Sequence, residues 1–436
     1  MSDNKIVVGL DIGTTKICVI VGRKNEYGKL EILGMGKAVS DGVIRGMVTN
    51  IDKTVNAINK AIQLAEDESG VSIGEVNVGI AGQHIKSSIN HGSIMRDSQE
   101  DEIGVTDVNR LTQDMYKIVT PPGNEIIHVM PQDYTVDFEE GINDPVGMVG
   151  MRLEADFHVI TAHTTAINNI NKCVRRAESS QRGSMEIMNL VLEPLASSLA
   201  VLSEEEKEAG VAIIDIGGGT TDLAVFHDNI IRHTAVIPFG GNIITSDIKD
   251  GCNVLQNQAE QLKMKFGKAI SNEASEKDVI SIPGLRNRAP KEISVKNLAC
   301  IIEARMQEII ELIHSEIVRS GYENKLAGGL VITGGGSQLK HVRELFEYMT
   351  GIDARVGFPN EHLGKSRFDG IKSPSYATGI GLVLSGFRAI DDRENKYNEF
   401  QLPLAGNKVL KKDQGKEFFK KILDRTKGLL LDDLED

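Results

Sequence analysis

The chain has 436 residues, of which 40% are hydrophobic and 25% are charged, a balance typical of soluble globular proteins. This length predicts two lobes rather than one core, and the formal net charge of −13 excludes general nucleic-acid binding, which requires a basic surface. The N-terminus has no secretory pattern and no apolar run reaches the roughly 18 residues of a membrane-spanning helix, so we expect a cytosolic protein. No C-x-x-C pair is present, which predicts neither a zinc site nor a disulfide framework for Cys18, Cys173, Cys252 and Cys300.

Residues 1–83 are predicted to form the first part of an α/β lobe. A hairpin over residues 5–22 is followed by a strand at Leu30–Val39. The apolar spacing of Thr49–Glu66 predicts a helix, and a further strand follows at Val76–Gly82.

An inserted α+β subdomain is predicted over residues 84–156. There the composition becomes polar, with turn signals at 121–123 and 143–145. Strand signals before and after this stretch, at Val76–Ala81 and Phe157–Ala162, are interpreted as one sheet that resumes after the insertion.

The rest of the chain predicts a second lobe, a helix that returns to the first lobe, and a C-terminal tail. The predicted boundaries are 157–207 for the remaining first-lobe core, 208–237 and 304–370 for the second-lobe core, 238–303 for its small subdomain, 371–388 for the return helix, 389–414 for a polar linker and 415–436 for an amphipathic tail. The predicted elements are helices at Thr164–Glu178, Pro194–Leu202, Ser294–Ser320, Lys340–Thr350 and Tyr376–Phe387, a helical region from Gly240 to Phe266, and strands at Ile187–Leu192 and Gly329–Thr333.

Two segments of the chain repeat one pattern. Ile6–Cys18 reads I-V-V-G-L-D-I-G-T-T-K-I-C, and Val211–Leu223 reads V-A-I-I-D-I-G-G-G-T-T-D-L. Glycines after an apolar strand open backbone N–H groups toward an anion, threonine hydroxyls donate to phosphate oxygens, and the aspartates suit a hydrated Mg²⁺. One copy alone is also typical of an ordinary glycine-rich hairpin turn. Two copies with Asp11 and Asp215 at their tips predict a nucleotide held from both sides.

Two further segments extend the pattern. Leu330–Gly336 reads L-V-I-T-G-G-G, a strand that runs into bare backbone suited to a flat ring and its ribose, and Leu192–Ser197 places Pro194 at a helix start. The four segments together resemble the actin-like ATPase superfamily, which includes actin, the DnaK-type chaperones, sugar kinases and bacterial filament proteins. The resemblance implies an α/β, actin/DnaK-like two-lobed ATPase fold with duplicated core domains, to which this chain adds the insert and the amphipathic tail.

Three groups of stretches resemble the FtsA family of bacterial cell-division proteins, and the resemblance spans residues 5 to about 388. Two of them are Pro238–Ile248 with A-E-Q-L-K-M-K-F-G at 259–267, and Ser40–Ile51 with V-N-V-G-I-A-G-Q at 76–83. The third lies in the predicted insert and directly after it, with M-P-Q-D-Y-T-V-D at 130–137, G-M-V-G-M-R-L-E at 147–154 and H-V-I-T-A at 158–162.

This resemblance implies a site for ATP and Mg²⁺. Its residues would be Asp11, Gly13, Thr14 and Thr15 in a first phosphate loop with Lys16 beside it, Asp215, Gly217, Gly218, Gly219, Thr220 and Thr221 in a second, Gly334, Gly335 and Gly336 against the adenosine, and Glu303 and Arg305 beside the base. Asp11 and Asp215 would hold Mg²⁺ through its waters.

Glu193 and Lys16 each have two interpretations. Glu193 falls where DnaK-type relatives orient the attacking water, and it is equally typical of an acid that interacts with a helix N-terminal dipole. Lys16 is placed to approach phosphates, and it is equally typical of a solvated lysine at a strand end.

The tail combines basic residues with an apolar stripe formed by Phe418, Phe419, Ile422 and Leu423. A basic helix with one apolar face is typical of segments that lie on an anionic membrane surface. A helix packed on the protein body and a disordered charged tail are the alternatives, and the closing D-D-L-E-D opposes insertion beside anionic lipid.

A partner site is predicted from G-L-R-N-R-A-P-K-E-I at 284–293, which resembles the FtsA region that receives the C-terminal peptide of the tubulin-like protein FtsZ. Arg286, Arg288 and Lys291 would complement an acidic, apolar peptide, and a solvated basic loop is the alternative.

The resemblance implies an ATP-binding adaptor, with at most slow ATPase activity, that assembles into filaments. It would tie FtsZ to the cytoplasmic face of the cell membrane at the division septum and help to recruit other division proteins. A pilus-assembly ATPase, which also carries an insert, is the alternative, followed by a sugar kinase, although this aromatic-poor chain shows no kinase pocket. The segment after Arg388 is too short for the peptide-binding domain of a chaperone.

Overall fold

The computed structural model describes residues 5–97, 100–179, 183–283, 289–364, 366 and 368–401. The strands in chain order are β1 (Ile6–Ile12), β2 (Lys16–Lys24), β3 (Leu30–Val39), β4 (Val43–Ile44), β5 (Met47–Val48), β6 (Glu75–Ile80), β7 (Lys86–Met95), β8 (Asn124–Val136), β9 (Glu139–Ile142), β10 (Arg152–His163), β11 (Glu178–Ser179), β12 (Gly183–Ser184), β13 (Glu186–Leu192), β14 (Val211–Ile216), β15 (Thr221–His227), β16 (Ile230–Ile237), β17 (Val279–Ile282), β18 (Lys291–Ser294), β19 (Leu330–Thr333) and β20 (Ala354–Val356).

The helices in chain order are α1 (Ile51–Ser69), α2 (Val105–Met115), α3 (Thr164–Arg176), α4 (Glu193–Val201), α5 (Glu204–Ala209), α6 (Gly241–Cys252), α7 (Gln256–Phe266), α8 (Val295–Ser320), α9 (Val342–Thr350) and α10 (Ala377–Gln401). Across these described ranges, none of the helices is both long and apolar enough to cross a bilayer. By contacts the chain divides into two units, residues 1–388 and 389–436.

The first lobe is built on a five-stranded sheet in the order β13-β6-β1-β2-β3. Strands β1, β2 and β3 form an antiparallel meander, and β6 and β13 add to it in parallel. Every residue of β1 after Ile6 is buried, as expected for a strand covered on both faces. The predicted hairpin and the strand at Leu30–Val39 are confirmed.

The second lobe repeats this topology. Its five strands lie in the order β16-β15-β14-β19-β20, again an antiparallel meander followed by two parallel strands. The duplication seen in two short sequence segments therefore extends to the whole of each sheet.

The region between β6 and α3 forms a separate four-stranded sheet in the order β7-β10-β8-β9, packed against α2. The interpretation that Phe157–Ala162 resumes the first-lobe sheet is wrong, because these residues belong to β10 of this second sheet. Strand β10 begins at Arg152, and its apolar residues Leu153, Phe157 and Val159 enter the core formed with α2. The first-lobe sheet resumes only at β13.

The inserted sheet also contacts the second lobe at its edge strand β16. The Nε2 atom of the buried Gln132 donates a hydrogen bond to the Ile231 carbonyl at 2.7 Å, and His158 Nε2 lies 3.1 Å from Thr234 Oγ1. Arg232 pairs with Asp133 at 2.7 Å. The insert is therefore joined to the second lobe by hydrogen bonds and an ion pair.

Two predicted segments differ from the observed helices. The helical region from Gly240 to Phe266 is two helices, α6 and α7, because Asn253 takes a left-handed φ of 45° and ends α6. The predicted linker from residue 389 instead continues α10 as far as Gln401. Residues 389–401 contain no glycine or proline to stop a helix, and the next proline is Pro403.

Candidate functional site

The two predicted phosphate loops, residues 11–16 and 215–221, face each other and touch. A Cβ atom on Gly218 would lie 2.4 Å from Thr15 Cγ2, and one on Gly219 would lie 2.6 Å from Thr14 Oγ1. Any larger residue at these two positions would have to displace a threonine side chain of the first loop. The structure therefore brings together two loops that begin far apart in the sequence, at Asp11 and Asp215.

Each loop closes in the same way. The Gly13 N–H donates to the Lys16 carbonyl at 3.1 Å, and the Gly217 N–H donates to the Thr220 carbonyl at 2.9 Å. Thr221 lies deeper, where its hydroxyl donates to the Phe239 carbonyl at 2.8 Å. Of the predicted threonines, Thr221 thus has a backbone partner away from the loop tip.

Asp11 and Asp215 end the central strands of the two sheets, and each is only 7% exposed. Asp215 accepts hydrogen bonds from Ser197 Oγ at 2.6 Å and Thr378 Oγ1 at 3.1 Å, which hold it from α4 and α10. Burial raises the pKa of Asp11 to about 6, with Lys16 opposing the rise and Asp215 adding to it. Burial also raises the pKa of Asp215, against the hydroxyl donors.

Two more carboxyl groups surround these aspartates. Burial and the nearby Asp215 raise the pKa of Asp222 to about 8, although the Thr220 hydroxyl donates to it. The pKa of Glu193 is raised well above its usual value by burial and by Asp11, Asp222 and Asp215. The Oδ1 atom of Asp222 is buried and has no hydrogen-bond partner within the described structure. The cluster thus holds protons in the empty site, and a bound cation would favour the ionised carboxylates.

The donor set fits Mg²⁺ held through water. Within the described residues, no three His, Cys, Asp or Glu side chains are grouped closely enough to hold a metal directly. Mg²⁺ usually keeps several waters and takes only one or two carboxylates together with phosphate oxygens. Asp11 and Asp215 supply such a pair, and the unpartnered oxygen of Asp222 offers an acceptor for a metal-bound water.

Glu193 is the first residue of α4 and lies against the end of β6. A Cβ atom on Gly79 would lie 3.0 Å from Glu193 Cγ. The preceding Leu192 N–H donates to His128 Nε2 at 3.0 Å, and burial lowers the pKa of His128 to about 4, which keeps the ring neutral and able to accept. Glu193 therefore has both features considered for it, a helix N-terminus and proximity to the loop aspartates.

Lys16 has protein partners in this structure. Its Nζ donates to the Ser375 carbonyl and lies 4.0 Å from the centre of the Tyr376 ring. Lys16 therefore reaches the segment before α10, while its charge still opposes the pKa rise of Asp11 and Asp215.

The third glycine cluster lies directly beside the second loop, because β19 pairs in parallel with β14. A Cβ atom on Gly334 would lie 2.3 Å from Asp215 Oδ1, and one on Gly336 would lie 2.3 Å from Ile216 Cγ2. Gly334 also has a φ of 81°, which favours glycine. Gly335 is more open, with only Ser375 Oγ at 3.8 Å from its Cβ position.

Glu303 and Arg305 lie in α8 and are bound to neighbours in the small subdomain. Glu303 accepts from the Ser271 N–H at 3.0 Å. Arg305 donates from Nε to Asp247 at 2.6 Å and also pairs with Glu308. These contacts do not link the two side chains to the phosphate loops.

Sequence reasoning missed a lysine that is linked to the second loop through Gly241. Lys263 Nζ donates to the Gly241 carbonyl at 2.8 Å and to Thr245 Oγ1 at 2.7 Å, and it pairs with Glu260 at 2.8 Å. The Gly241 N–H in turn donates to the Gly217 carbonyl of the second loop at 2.9 Å. The i, i+3 spacing of Glu260 and Lys263 predicts an ion pair on one helix face, but it does not place Lys263 near the loop.

The predicted partner and membrane residues are largely outside the described part of the chain. Lys291 is exposed in β18, and its Nζ donates to the Asn253 carbonyl at 3.2 Å. The others lie outside the described residues: Arg286, Arg288, Phe418, Phe419, Ile422 and Leu423.

Comparison with known proteins identifies relatives along almost the whole chain. Family models match at residues 212–381, described as cell division protein FtsA, and at residues 82–161, described as the SHS2 domain inserted in FtsA. The FtsA of Pseudomonas aeruginosa is 39% identical over 393 residues, covering 90% of this chain and 92% of that protein. The FtsA of Borreliella burgdorferi is 36% identical over 434 residues, covering 99% of each chain.

The solved structures support the fold. A chain of the PilM-PilN type IV pilus biogenesis complex superimposes with a TM-score of 0.63 at 16% identity, covering 88% of this chain and 99% of that one. The ethanolamine utilization protein EutJ of Carboxydothermus hydrogenoformans gives a TM-score of 0.51 at 16% identity, covering 88% and 90%. The fold is the actin-like one, with the FtsA-type insert between β6 and α3. With relatives at this identity over nearly its full length, the chain belongs to the FtsA family of cell division proteins.

Proposed function

We propose that this protein is an ATP-binding, polymerising adaptor that ties FtsZ to the cytoplasmic face of the cell membrane at the septum and helps to recruit other division proteins. The observation that carries the proposal is the contact between two phosphate loops from separate lobes, surrounded by buried carboxylates. A ligand placed between such loops is held by both lobes at once. Family membership supplies the division context.

Nucleotide would bind with its phosphates between the two loops and its adenosine along Gly334, Gly335 and Gly336. Mg²⁺ would neutralise phosphate charge there. Asp11 and Asp215 would hold its waters, and Asp215 is already oriented by Ser197 and Thr378.

Glu193 is the residue best placed to accept a proton from a water near the terminal phosphate. Its raised pKa makes it a stronger base once it is ionised, but in the empty site that same rise favours the protonated form. A bound cation would lower the pKa of Glu193 and favour its ionised form. We expect hydrolysis to be slow, so that nucleotide acts mainly to hold the lobes together and favour contacts between subunits of a filament.

The contact with the membrane would come from the basic tail at 415–436, and the contact with FtsZ from the basic segment at 284–293. The apolar stripe Phe418, Phe419, Ile422 and Leu423 would enter the membrane surface, where burial of each large side chain contributes about 1.5–3 kcal/mol. Lys291 would join Arg286 and Arg288 in binding an acidic peptide of FtsZ. In a filament, many weakly bound tails would act together.

The likeness to the PilM-PilN complex supports a pilus-assembly ATPase as the second candidate function. That likeness is one of fold, at 16% identity. The FtsA relatives, at 36% and 39% identity, favour cell division.

Flotation with anionic liposomes tests the proposal. We expect the full-length chain to carry FtsZ to the vesicles with Mg·ATP, and the Phe419→Glu, Leu423→Glu double variant to leave both proteins in the soluble fraction. The matched control is Tyr27→Glu with Val119→Glu, which adds the same two charges at exposed apolar positions of the body. Equal flotation of the tail variant and the wild type would contradict the membrane half of the proposal, and flotation without FtsZ would contradict the adaptor half.

A further inference from the structure

A strained turn lies beside the two phosphate loops. Strands β4 and β5 pair through Val43 with Val48 and Ile44 with Met47, which leaves Arg45 and Gly46 as a two-residue hairpin turn. Both have positive φ, 49° for Arg45 and 74° for Gly46. Such turns favour Asn-Gly, and an arginine at the first position is unfavourable. A residue kept in an unfavourable conformation is a candidate for a functional role.

The turn is held against both loops. The Gly46 N–H donates to Thr14 Oγ1 of the first loop at 3.1 Å. A Cβ atom on Gly219 of the second loop would lie 3.0 Å from the Cα of Arg45. On its other side, the Arg45 carbonyl oxygen lies 3.1 Å from the Cβ position of Gly82. The backbone of Arg45 therefore lies where the two loops meet.

Arg45 lies on the Glu193 side of the site. The glycine cluster proposed for the adenosine packs on Asp215 and Ile216. Arg45 instead lies at Thr14 and Gly219, next to the end of β6, and it is against β6 that Glu193 packs. If adenosine lies on the glycine cluster, Arg45 is on the side of the last phosphate.

The charges of the site leave a role for one more cation. The carboxyl groups of Asp11, Asp215, Asp222 and Glu193 all border the loops, and the Lys16 ammonium is bonded to the Ser375 carbonyl. The Arg45 side chain is exposed and, within the described part of the chain, makes no hydrogen bond or ion pair. A guanidinium at this position offers several donors to a phosphate.

We propose that Arg45 is a nucleotide-binding residue whose guanidinium contacts the terminal phosphate of a bound nucleoside triphosphate. The inference rests on the proposed ATP site and assigns it a residue that distinguishes triphosphate from diphosphate. The turn would carry this contact to both lobes, because its backbone touches a loop from each.

Calorimetric titration of the full-length chain with Mg·ATP and with Mg·ADP tests this assignment. Arg45→Asn removes the charge and places in the turn the residue that its geometry favours, so the fold is preserved. We expect this variant to bind Mg·ATP about tenfold more weakly and Mg·ADP within twofold of the wild type. Arg45→Lys should recover most of the Mg·ATP affinity, and Arg110→Gln, at an exposed position of α2 in the insert, should change neither affinity.

The following results would contradict the assignment. Unchanged Mg·ATP binding in Arg45→Asn would show that the guanidinium does not contact the nucleotide. An equal loss for both nucleotides would show that the residue does not act on the terminal phosphate, and a loss in Arg45→Lys as large as in Arg45→Asn would show that a positive charge at this position does not bind it. In each of these cases, binding of Mg·ATP by the wild type would still support the proposed ATP site. A wild type that binds neither nucleotide would contradict the proposed function as well.

Discussion

The two phosphate-loop hairpins have the same length but differ in what lies opposite each aspartate. Asp11 pairs across its hairpin with Cys18, whereas Asp215 pairs with Asp222. Burial raises the pKa of the Cys18 thiol to about 12, so the first hairpin places a neutral group there, and the second places another acid. Duplicated topology has therefore been kept while the charges on the two sides of the site have diverged.

The same register explains why the loops fit together. Counted from the paired aspartates, Thr14 and Thr15 of the first loop occupy the positions of Gly218 and Gly219 in the second. Side chains of one copy thus fill the space left by glycines of the other. The sequences alone suggest aligning Thr14-Thr15 with Thr220-Thr221. That alignment differs by two positions from the equivalence seen in the structure.

Adding a side chain to the second loop should have the largest effect on the site. In Gly218→Val the new Cβ would lie 2.4 Å from Thr15 and force the loops apart. We expect Mg·ATP affinity to fall at least a hundredfold, equivalent to about 2.8 kcal/mol. Gly370→Val is the control, because a Cβ there meets nothing within 4 Å. Partial recovery on adding Thr15→Ala would attribute the loss to this contact, and unchanged calorimetric affinity in Gly218→Val would refute the two-loop site.

Removing the acid that distinguishes the second hairpin should stabilise the empty protein. The folded pKa of Asp222, about 8, lies above its usual value of 3.8, so the folded state holds the proton longer and stability falls as pH rises between these values. Asp222→Asn should therefore raise the free energy of unfolding by about 2 kcal/mol at pH 8.5 and much less at pH 4.5. Urea unfolding at both pH values measures this, with the exposed Asp41→Asn as control. A gain that does not depend on pH would contradict the assigned charge effect.

The two sheets also differ in their insertions, and the contact between the first lobe's insert and β16 can be broken. Gln132→Leu removes the buried donor to the Ile231 carbonyl. We expect a loss of about 1.5 kcal/mol in the free energy of unfolding, typical of a broken buried hydrogen bond. Gln113→Leu, exposed on α2 of the same insert, should change stability by less than about 0.5 kcal/mol. Equal effects of the two substitutions would show that the contact with β16 does not stabilise the protein.

Sequence patterns predicted the parts of this fold that depend on local chemistry. The apolar runs of β1 and β14 and the glycines after them were sufficient to predict both loops, and the helix signals placed α1 and α8 within a few residues. The sheet to which β10 belongs was not predictable in this way, because strand pairing is decided by contacts far along the chain. The same holds for Lys263 and Arg45, whose relation to the loops appears only when α6 and the β4–β5 turn fold back onto them.

The smallest expected effect comes from making Asp215 more like Asp11. Asp215 accepts from two hydroxyl groups, whereas Asp11 has no hydroxyl donor among the described hydrogen bonds. In Ser197→Ala the shorter of the two bonds is lost, which should raise the pKa of Asp215 further, since this donor lowers it. We expect about a threefold loss of Mg·ATP affinity near neutral pH, or roughly 0.7 kcal/mol, that grows as pH is lowered toward the pKa. Ser198→Ala is the matched control, because that equally buried hydroxyl donates to the Leu195 carbonyl within α4 and not to the site. If calorimetry finds the same affinity and pH dependence in both variants, the hydroxyl groups do not tune Asp215, and the two aspartates differ only in what lies across their hairpins.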